Sequence, residues 1–206
     1  QTLEHWFAST PGLKVLMPSD AQSAYSLLRA AIQDPDPVIV LEPRILYAER
    51  GEVDTTKIAK IGKASMRATG SDITIVALGH MVNIAEAAIK AAGVSADIVD
   101  LQSIIPWDRE TVLASVKKTG RLIVVEEAPQ SGGWGSEIVA TVTAQLFSSL
   151  KSAPFRITTP DVPVPFNGGL EARFAPTSDD VARQIKHALS QSGAPQPWWV
   201  AEGVAK

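Results

Sequence analysis

Four apolar, strand-like runs alternate with amphipathic helical segments from Asp72 onward. The runs are DITIVALG (72–79), ADIVDL (96–101), LIVVEE (122–127) and FRITTP (155–160), and helical periodicity follows them at 82–92, from Asp108, at 137–146 and at 178–192. Continuous apolar strands are typical of a sheet buried on both faces, and a connection that holds a helix allows neighbouring strands to run parallel. The alternation therefore predicts an α/β fold, with a mostly parallel sheet and helices on both faces.

The first part of the chain carries a shorter strand, helix and strand pattern. LKVLMPS (13–19) and VIVLEP (38–43) have the composition of buried strands. Between them lies an amphipathic helix, for which Ser19 and Gln22 have the spacing of a capping box. The prolines of DPDP (34–37) are expected to end this helix, because proline removes a donor and disfavours helical backbone before it.

Two segments lack a regular pattern. Residues 47–72 are rich in charge, Gly and Thr, and we expect a linker there with a short antiparallel strand at 64–67. The tail, residues 191–206, has no period but contains Trp198 and Trp199. Because exposed paired indoles are costly to leave in water, the tail is predicted to dock on the protein.

Charge and composition exclude several partners and sites within this sequence. The net charge of −3, the pI near 5.6 and the scattered Lys and Arg residues leave no basic surface, so we expect no nucleic-acid partner. No apolar run approaches the roughly 20 residues that span a bilayer, so we expect no membrane partner. The absence of cysteine excludes disulfides, thiolate metal sites and a cysteine nucleophile.

A glycine-rich loop stands between an apolar run at 121–125 and the helical pattern at 137–146. Gly132, Gly133 and Gly135 permit close backbone approach, and a helix N-terminus can bind an anion. The spacing is GGxG rather than GxGxxG, and no acidic residue ends a following strand where a ribose would need one. We therefore interpret the loop as a packing turn rather than as a phosphate cradle.

The polar residues alone do not name a reaction. His80 is the most site-like histidine, because it follows a strand whose carboxyl end borders the crevice of an α/β sheet. His5 and His187 are assigned to a first helix and to the exposed side of the last helix. Glu126 and Glu127 are adjacent on a strand and point to opposite faces, so they are interpreted as solvated strand-end acids.

Four motifs carry a family resemblance: EPRILY (42–47), IIPWD (104–108), KTGRL (118–122) and EAPQSGGWGSEI (127–138). In this order, and over residues 1 to about 188, the chain resembles the beta subunit of thiamin diphosphate-dependent 2-oxo acid dehydrogenases. These belong to the transketolase-like superfamily. EPRILY and IIPWD favour the branched-chain members over the pyruvate members.

The resemblance implies a domain organisation. Residues 1–48 would be the last part of a pyrimidine-binding α/β domain, 49–66 a linker, 67–190 a transketolase C-terminal domain and 191–206 a tail. The C-terminal domain would pair with its copy across a two-fold axis. The assembled enzyme would be an alpha-beta heterotetramer.

The resemblance also implies that the reacting groups lie outside this sequence. In the family, thiamin diphosphate and magnesium are held between the alpha subunit and the beta pyrimidine domain, where beta supplies a glutamate and the histidine of an HSQ motif. Gln1 matches the last residue of that motif, so the histidine is expected two positions earlier. Leu3, Trp6 and Phe7 already have helical spacing, which also indicates a fragment. We expect no catalytic or cofactor-binding residue here and no activity of the chain alone.

One metal site is implied by the resemblance. Relatives bind a monovalent cation, potassium, at the end of the helix that matches AAIQDPDP. Carried over, Ala31, Asp34 and Asp36 would supply oxygen ligands, and Asp36 stands where branched-chain members often have asparagine. The alternative is that both aspartates only form a proline-flanked turn.

The implied partners are an alpha subunit, a second beta subunit and a dihydrolipoyl acyltransferase. Glu126, Asp161 and Glu171 are candidates for the acyltransferase contact, with a solvated surface as the alternative. The implied compartment is the cytoplasm of a bacterium or the mitochondrial matrix of a eukaryote.

Other functions remain open at this point. The chain could be a nucleotide-binding module or an assembly domain without an enzymatic partner. Within the family, acetoin dehydrogenase and transketolase are the alternatives, and EPRILY and IIPWD fit transketolase poorly.

Overall fold

The computed structural model describes residues 2–201, which form strands and helices in alternation. The strands are β1 (Lys14–Leu16), β2 (Val38–Val40), β3 (Ser65–Ala68), β4 (Ile73–Ala77), β5 (Ala96–Asp100), β6 (Ser103–Ile105), β7 (Leu122–Pro129) and β8 (Phe155–Thr159). The helices are α1 (Glu4–Ala8), α2 (Ala21–Gln33), α3 (His80–Ala92), α4 (Arg109–Thr119), α5 (Gly135–Leu146), α6 (Gly168–Glu171), α7 (Ser178–Ser190) and α8 (Trp198–Ala201). Within residues 2–201, no helix is both long and apolar enough to cross a membrane.

The larger sheet has five strands in the order β3-β5-β4-β7-β8. β4 pairs in parallel with β5 and β7, and β7 pairs in parallel with β8. At the other edge, β3 is antiparallel to β5. The predicted α/β class and mostly parallel sheet are confirmed, and so is the short antiparallel strand expected near 64–67.

Successive residues of β4 face two different cores. Ile73 and Ile75 belong to one buried cluster with α3 and α7, whereas Val76 belongs to the other with α4 and α5. All five residues of β4 are buried. The prediction of helices on both faces is therefore confirmed, because each side of the pleat needs an apolar cover.

A second, three-stranded sheet has the order β2-β1-β6. β1 is parallel to β2 and antiparallel to β6, which the sequence did not predict. The expected strands at 13–19 and 38–43 are shorter than predicted, because pairing covers only Lys14–Leu16 and Val38–Val40. A 3-10 turn at Arg44–Leu46 follows β2.

The cap of α2 differs from the predicted one. Asp20 is the N-cap: its carboxylate accepts from the Ser23 backbone N–H at 2.7 Å, and the Ser23 hydroxyl completes the capping box. The Ser19–Gln22 prediction is wrong by one position, because the Ser19 hydroxyl instead donates to buried Asp100. The next helix, α3, begins at His80, two residues before the predicted start.

The tail docks on the larger sheet, as predicted from its tryptophans. Trp198 and Trp199 are 4% and 8% exposed and join the core cluster that contains α3 and α7. The indole N–H of Trp198 donates to the Thr158 carbonyl on edge strand β8 at 2.8 Å. The tail therefore covers apolar surface and also uses a free acceptor at the sheet edge.

We predict that the tail contributes strongly to stability. Trp199→Ala should lower the free energy of unfolding by about 3–5 kcal/mol, because it empties a large core site. Trp198→Phe should cost about 1–2 kcal/mol, because it leaves the Thr158 carbonyl without its donor. Urea unfolding followed by circular dichroism measures both.

The control is Trp6→Ala, since Trp6 is 64% exposed on α1. This surface change should stay within about 0.5 kcal/mol of wild type. Equal effects of Trp199→Ala and Trp6→Ala would show that the tail does not dock.

Candidate functional site

The crevice at the carboxyl end of β7 is closed by a buried ion pair. Glu126 is 1% exposed, and its carboxylate accepts from the Arg156 guanidinium on β8. The same carboxylate accepts from the Gly135 backbone N–H at 3.2 Å, at the start of α5. Arg156 also donates to the Gln130 carbonyl at 2.7 Å. The interpretation of Glu126 as a solvated acid is therefore wrong, because its ion-pair partner lies on the neighbouring strand.

Burial dominates the electrostatics of this crevice. Desolvation raises the pKa of Glu126 to about 7, although the charge and hydrogen bonds of Arg156 act in the opposite direction. Glu4 on α1 is also buried, and desolvation raises its pKa above the usual range. The Glu4 charge raises the pKa of Glu126 further. The carboxyls of Glu4 and Glu126 therefore lie at a site that has one guanidinium, that of Arg156. This arrangement favours a protonated Glu126 near neutral pH.

The glycines of the loop allow close packing against this ion pair. A Cβ at Gly133 would lie 2.1 Å from Nη2 of Arg156, and one at Gly135 would lie 2.6 Å from Oε1 of Glu126. The packing interpretation is confirmed for Gly133 and Gly135, whereas Gly132 has a positive φ and no close neighbour. Because the Glu126 carboxylate already accepts from the first amide of α5, the anion position that a phosphate would take is filled from within the chain.

The histidines occupy different surroundings. His80 is the first residue of α3 and lines a small cavity together with Glu4 and Glu126, so it borders the crevice as expected. His5 lies on α1 and is half-buried. His187 is half-buried rather than exposed, and its Nε2 lies 3.2 Å from the Gly193 carbonyl.

The three residues of the expected cation site lie around the end of α2. The Lys14 ammonium lies 2.7 Å from Asp34 Oδ1 and 2.9 Å from Asp36 Oδ2. The Asp34 N–H donates to the Ala31 carbonyl at 3.3 Å, and the Asp36 N–H to Asp34 Oδ1 at 2.9 Å. Hydrogen bonds from Lys14 lower the pKa of Asp34. The carboxylates of Asp34 and Asp36 therefore both contact one positive charge, the ammonium of Lys14.

The three acids considered for a partner contact differ in exposure. Asp161 is exposed, and the Ser131 N–H and hydroxyl donate to it at 3.0 and 2.6 Å. Glu171 is exposed on α6. Glu126 is buried, so its assignment as a surface contact is wrong.

The described part of the chain does not fit a diphosphate and magnesium site. Among residues 2–201, no group of three or more His, Asp or Glu side chains has the arrangement of a metal centre. The loop that most resembles a phosphate cradle is filled by Glu126. No step of a thiamin reaction is therefore assigned to these residues.

Three important polar residues were not identified from the sequence. Glu4 lines the small cavity beside Glu126, and Arg156 pairs with Glu126. Arg67 pairs with Asp20, the N-cap of α2, and with Glu86 of α3. The only sequence signal for Arg156 is a positive charge inside an apolar strand, which requires a partner when it is buried.

The fold and the crevice define an α/β protein with a mostly parallel five-stranded sheet and a smaller three-stranded sheet. The chain belongs to the family described as "Transketolase, C-terminal domain", whose sequence model matches residues 62–181. The model for "Transketolase, pyrimidine binding domain" matches residues 1–50.

Two similar curated proteins are beta subunits of 2-oxo acid dehydrogenases. The mitochondrial pyruvate dehydrogenase E1 component subunit beta of Pisum sativum is 43% identical over 195 residues, covering 91% of this chain and 54% of its own length. The mitochondrial 2-oxoisovalerate dehydrogenase subunit beta of Dictyostelium discoideum is 41% identical over 173 residues, covering 80% and 46%. The predicted resemblance is confirmed, and the chain spans about half the length of these relatives.

A solved structure supports the same fold. The chain described as "Split gene transketolase, inactive beta4 tetramer" superposes with a TM-score of 0.73 at 27% identity. The match covers 92% of this chain and 61% of that one.

The buried crevice predicts an unusual pH dependence. The Glu126 carboxyl ionises near 4.5 when unfolded and near 7 when folded, so the folded state binds more protons between these values. The free energy of unfolding should therefore fall as the pH rises from about 4.5 to about 7, by up to about 3 kcal/mol from this group. Glu126→Gln should reduce this slope in urea unfolding measured across the range, and Asp100, whose pKa burial raises to about 6, should retain part of it.

Asp161→Asn is the matched control. Hydrogen bonds from Ser131 lower the pKa of Asp161, so this carboxyl contributes stability that is lost on acidification. Its removal should change the profile at low pH and leave the slope between about 4.5 and about 7 intact. An unchanged slope in Glu126→Gln would show that Glu126 is ionised throughout.

Proposed function

We propose that this chain is the C-terminal part of the beta subunit of a 2-oxo acid dehydrogenase decarboxylating component. The observation that carries the proposal is 43% identity over 195 residues to a pyruvate dehydrogenase E1 beta subunit. The complete enzyme would oxidatively decarboxylate a 2-oxo acid with thiamin diphosphate and magnesium, and pass the acyl group to lipoyl arms. This part would serve subunit assembly and acyltransferase contact.

The proposed boundaries follow the sequence patterns. Residues 1–48 would be the last part of the pyrimidine-binding domain, and residues 49–66 would be the linker. Residues 67–190 would form the C-terminal domain, and residues 191–206 would form the tail. The family matches at 1–50 and 62–181 support this division. The cofactor would be held outside these residues, with an alpha subunit.

The proposed partners are an alpha subunit, a second beta subunit and a dihydrolipoyl acyltransferase. The split-gene transketolase chain, which is described as an inactive beta4 tetramer, is a precedent for a related chain that assembles without activity. Asp161 and Glu171 are exposed and suit a basic partner. The compartment would be a bacterial cytoplasm or a mitochondrial matrix.

The motifs and the relatives suggest two possible substrate classes. EPRILY and IIPWD favour a branched-chain 2-oxo acid, whereas the pea relative acts, by its name, on pyruvate. The nucleotide-binding alternative is disfavoured because Glu126 fills the N-terminus of α5. Transketolase is disfavoured because the split-gene chain is only 27% identical.

The decisive assay uses the full-length beta subunit co-expressed with its alpha subunit. We predict release of labelled carbon dioxide from carboxyl-labelled 2-oxo acid and none from this chain alone. Pyruvate and a branched-chain 2-oxo acid are compared by kcat/KM, and a preference of about tenfold or more for one of them identifies the substrate, since pocket contacts with one or two carbon groups are worth that much. A pair that decarboxylates neither acid, or that transfers two-carbon units between sugar phosphates, would refute the proposal.

We further propose that Ala31, Asp34 and Asp36 hold a monovalent cation when Lys14 moves away. Both carboxylates already converge on one positive charge, and the Ala31 carbonyl lies beside them. Carbonyl and carboxylate oxygens are suitable ligands for hard cations. The cation would replace the ammonium rather than add to it.

A potassium titration against choline chloride at constant ionic strength tests the cation site. Lys14→Met should make the melting temperature rise with potassium more than in wild type, because the two carboxylates have lost their internal cation. Arg109→Met, which breaks the surface pair with Glu137, is the control and should show no such gain. If potassium and choline changed the melting temperature of Lys14→Met equally, no cation site would be present, and the two aspartates would only form a proline-flanked turn.

A further inference from the structure

The segment between β8 and α7 carries an exposed Asn-Gly pair. Asn167 and Gly168 are both exposed, and so are Phe166 before them and Leu170 after them. A stretch whose side chains contact little of the protein opens at a low cost in free energy. Water and alternative backbone conformations are therefore accessible at this pair.

The side chain of Asn167 is held only by a short helix. As the N-cap of α6, its Oδ1 accepts from the backbone N–H of Gly169 at 3.0 Å and from that of Leu170 at 3.2 Å. α6 has four residues, none of them buried. An isolated helix needs about 12–15 residues to be stable in water, and α6 has no buried face to compensate. The cap should therefore open readily and release the side-chain amide.

The backbone nitrogen of Gly168 has no hydrogen-bond acceptor. Its N–H is the first of α6, so it has no acceptor inside the helix. Among the described residues, 2–201, no other group accepts from it. A Cβ placed on Gly168 would meet no heavy atom within 4 Å, so no neighbour restricts rotation of this peptide. The ψ of 123° at Asn167 keeps this nitrogen away from Cγ while the cap is closed, and rotation about the Cα–C bond brings the two atoms together.

We infer that Asn167 is a site of deamidation. When the cap is open, the nitrogen of Gly168 attacks Cγ of Asn167 and a cyclic succinimide forms. The new N–Cγ bond replaces the bond from Cγ to the side-chain nitrogen, which takes up the proton of the Gly168 N–H and leaves as ammonia. Water then opens the ring: addition at Cγ gives an aspartate, whereas addition at the main-chain carbonyl carbon gives an isoaspartate. No electrons are transferred, and water is the only co-reactant.

The two products differ in their effect on α6. Each adds one negative charge to a chain whose net charge is −3. Aspartate is itself a good N-cap, so it retains the helix. Isoaspartate inserts a side-chain carbon into the main chain and moves the carboxylate to another atom, which removes the cap. This modification goes beyond the proposed function, because it depends only on this segment and not on the reaction of the complete enzyme.

The chain contains one other asparagine, Asn83, which is an internal control. It lies inside α3, is half-buried and is followed by Ile84. Helical hydrogen bonds hold the backbone there, and a β-branched side chain at the next position crowds the attacking nitrogen. We therefore expect Asn83 to stay intact under conditions that convert Asn167.

Incubation of the 206-residue chain in a mildly alkaline buffer, made with water enriched in oxygen-18, tests the site. Mass spectrometry of the peptide that contains Asn167 should show loss of ammonia and uptake of one labelled oxygen, in an aspartate and an isoaspartate form that separate by chromatography. The rate should rise with pH, because the attacking nitrogen must lose its proton. An Asn167 that stays unmodified, or an Asn83 that is converted equally fast, would overturn the inference.

Two glycine substitutions test the attacking group. Gly168→Ala should slow the conversion of Asn167 at least several-fold, because a Cβ crowds the nitrogen and reduces the backbone freedom of the pair. Gly193→Ala is the matched control and should leave the rate unchanged, since a Cβ there also meets no atom within 4 Å and no asparagine precedes it. Equal rates in Gly168→Ala and wild type would show that the Gly168 nitrogen does not attack, and the inference would fail.

Discussion

Burial of β4 on both faces is the constraint on which the rest of the structure depends. Every residue of this strand is buried, with Ile73 and Ile75 directed to one core and Val76 to the other. A strand without a wet face requires helices on both sides, and parallel neighbours require those helices to lie in the crossover connections. The carboxyl ends of β4 and β7 are therefore brought to the same edge of the sheet, where polar groups of loops and helix termini must find partners.

In the crevice, the carboxylate of Glu126 is the partner of these polar groups. It accepts hydrogen bonds from the guanidinium of Arg156 on β8 and from the Gly135 backbone N–H. One carboxylate therefore pairs with this cation and also caps the N-terminus of α5. The close approach is possible only because Gly133 and Gly135 lack side chains. A loop that resembles a phosphate cradle by composition is thus filled by an internal carboxylate, and the burial that holds it there also raises its pKa.

The elements that could be predicted are those specified by local pattern. The run 72–79 and the helix after it follow from periodicity, and Trp198 and Trp199 indicate docking because large indoles need cover. β6 could not be predicted, since it is three residues long and exists through pairing with β1, far away in sequence. The burial of Glu126 could not be predicted either, because its partner Arg156 lies 30 residues along the chain.

The two segments matched by separate family models share structure at their boundary. β1 of the first segment pairs with β6 of the second, and Arg67 joins Asp20 at the start of α2 to Glu86 on α3. The Ser19 hydroxyl donates to Asp100, a carboxyl whose pKa burial raises to about 6. Ser19 and Asp100 are fully buried, and buried polar groups are costly without a partner, so their hydrogen bond favours this arrangement of the two segments.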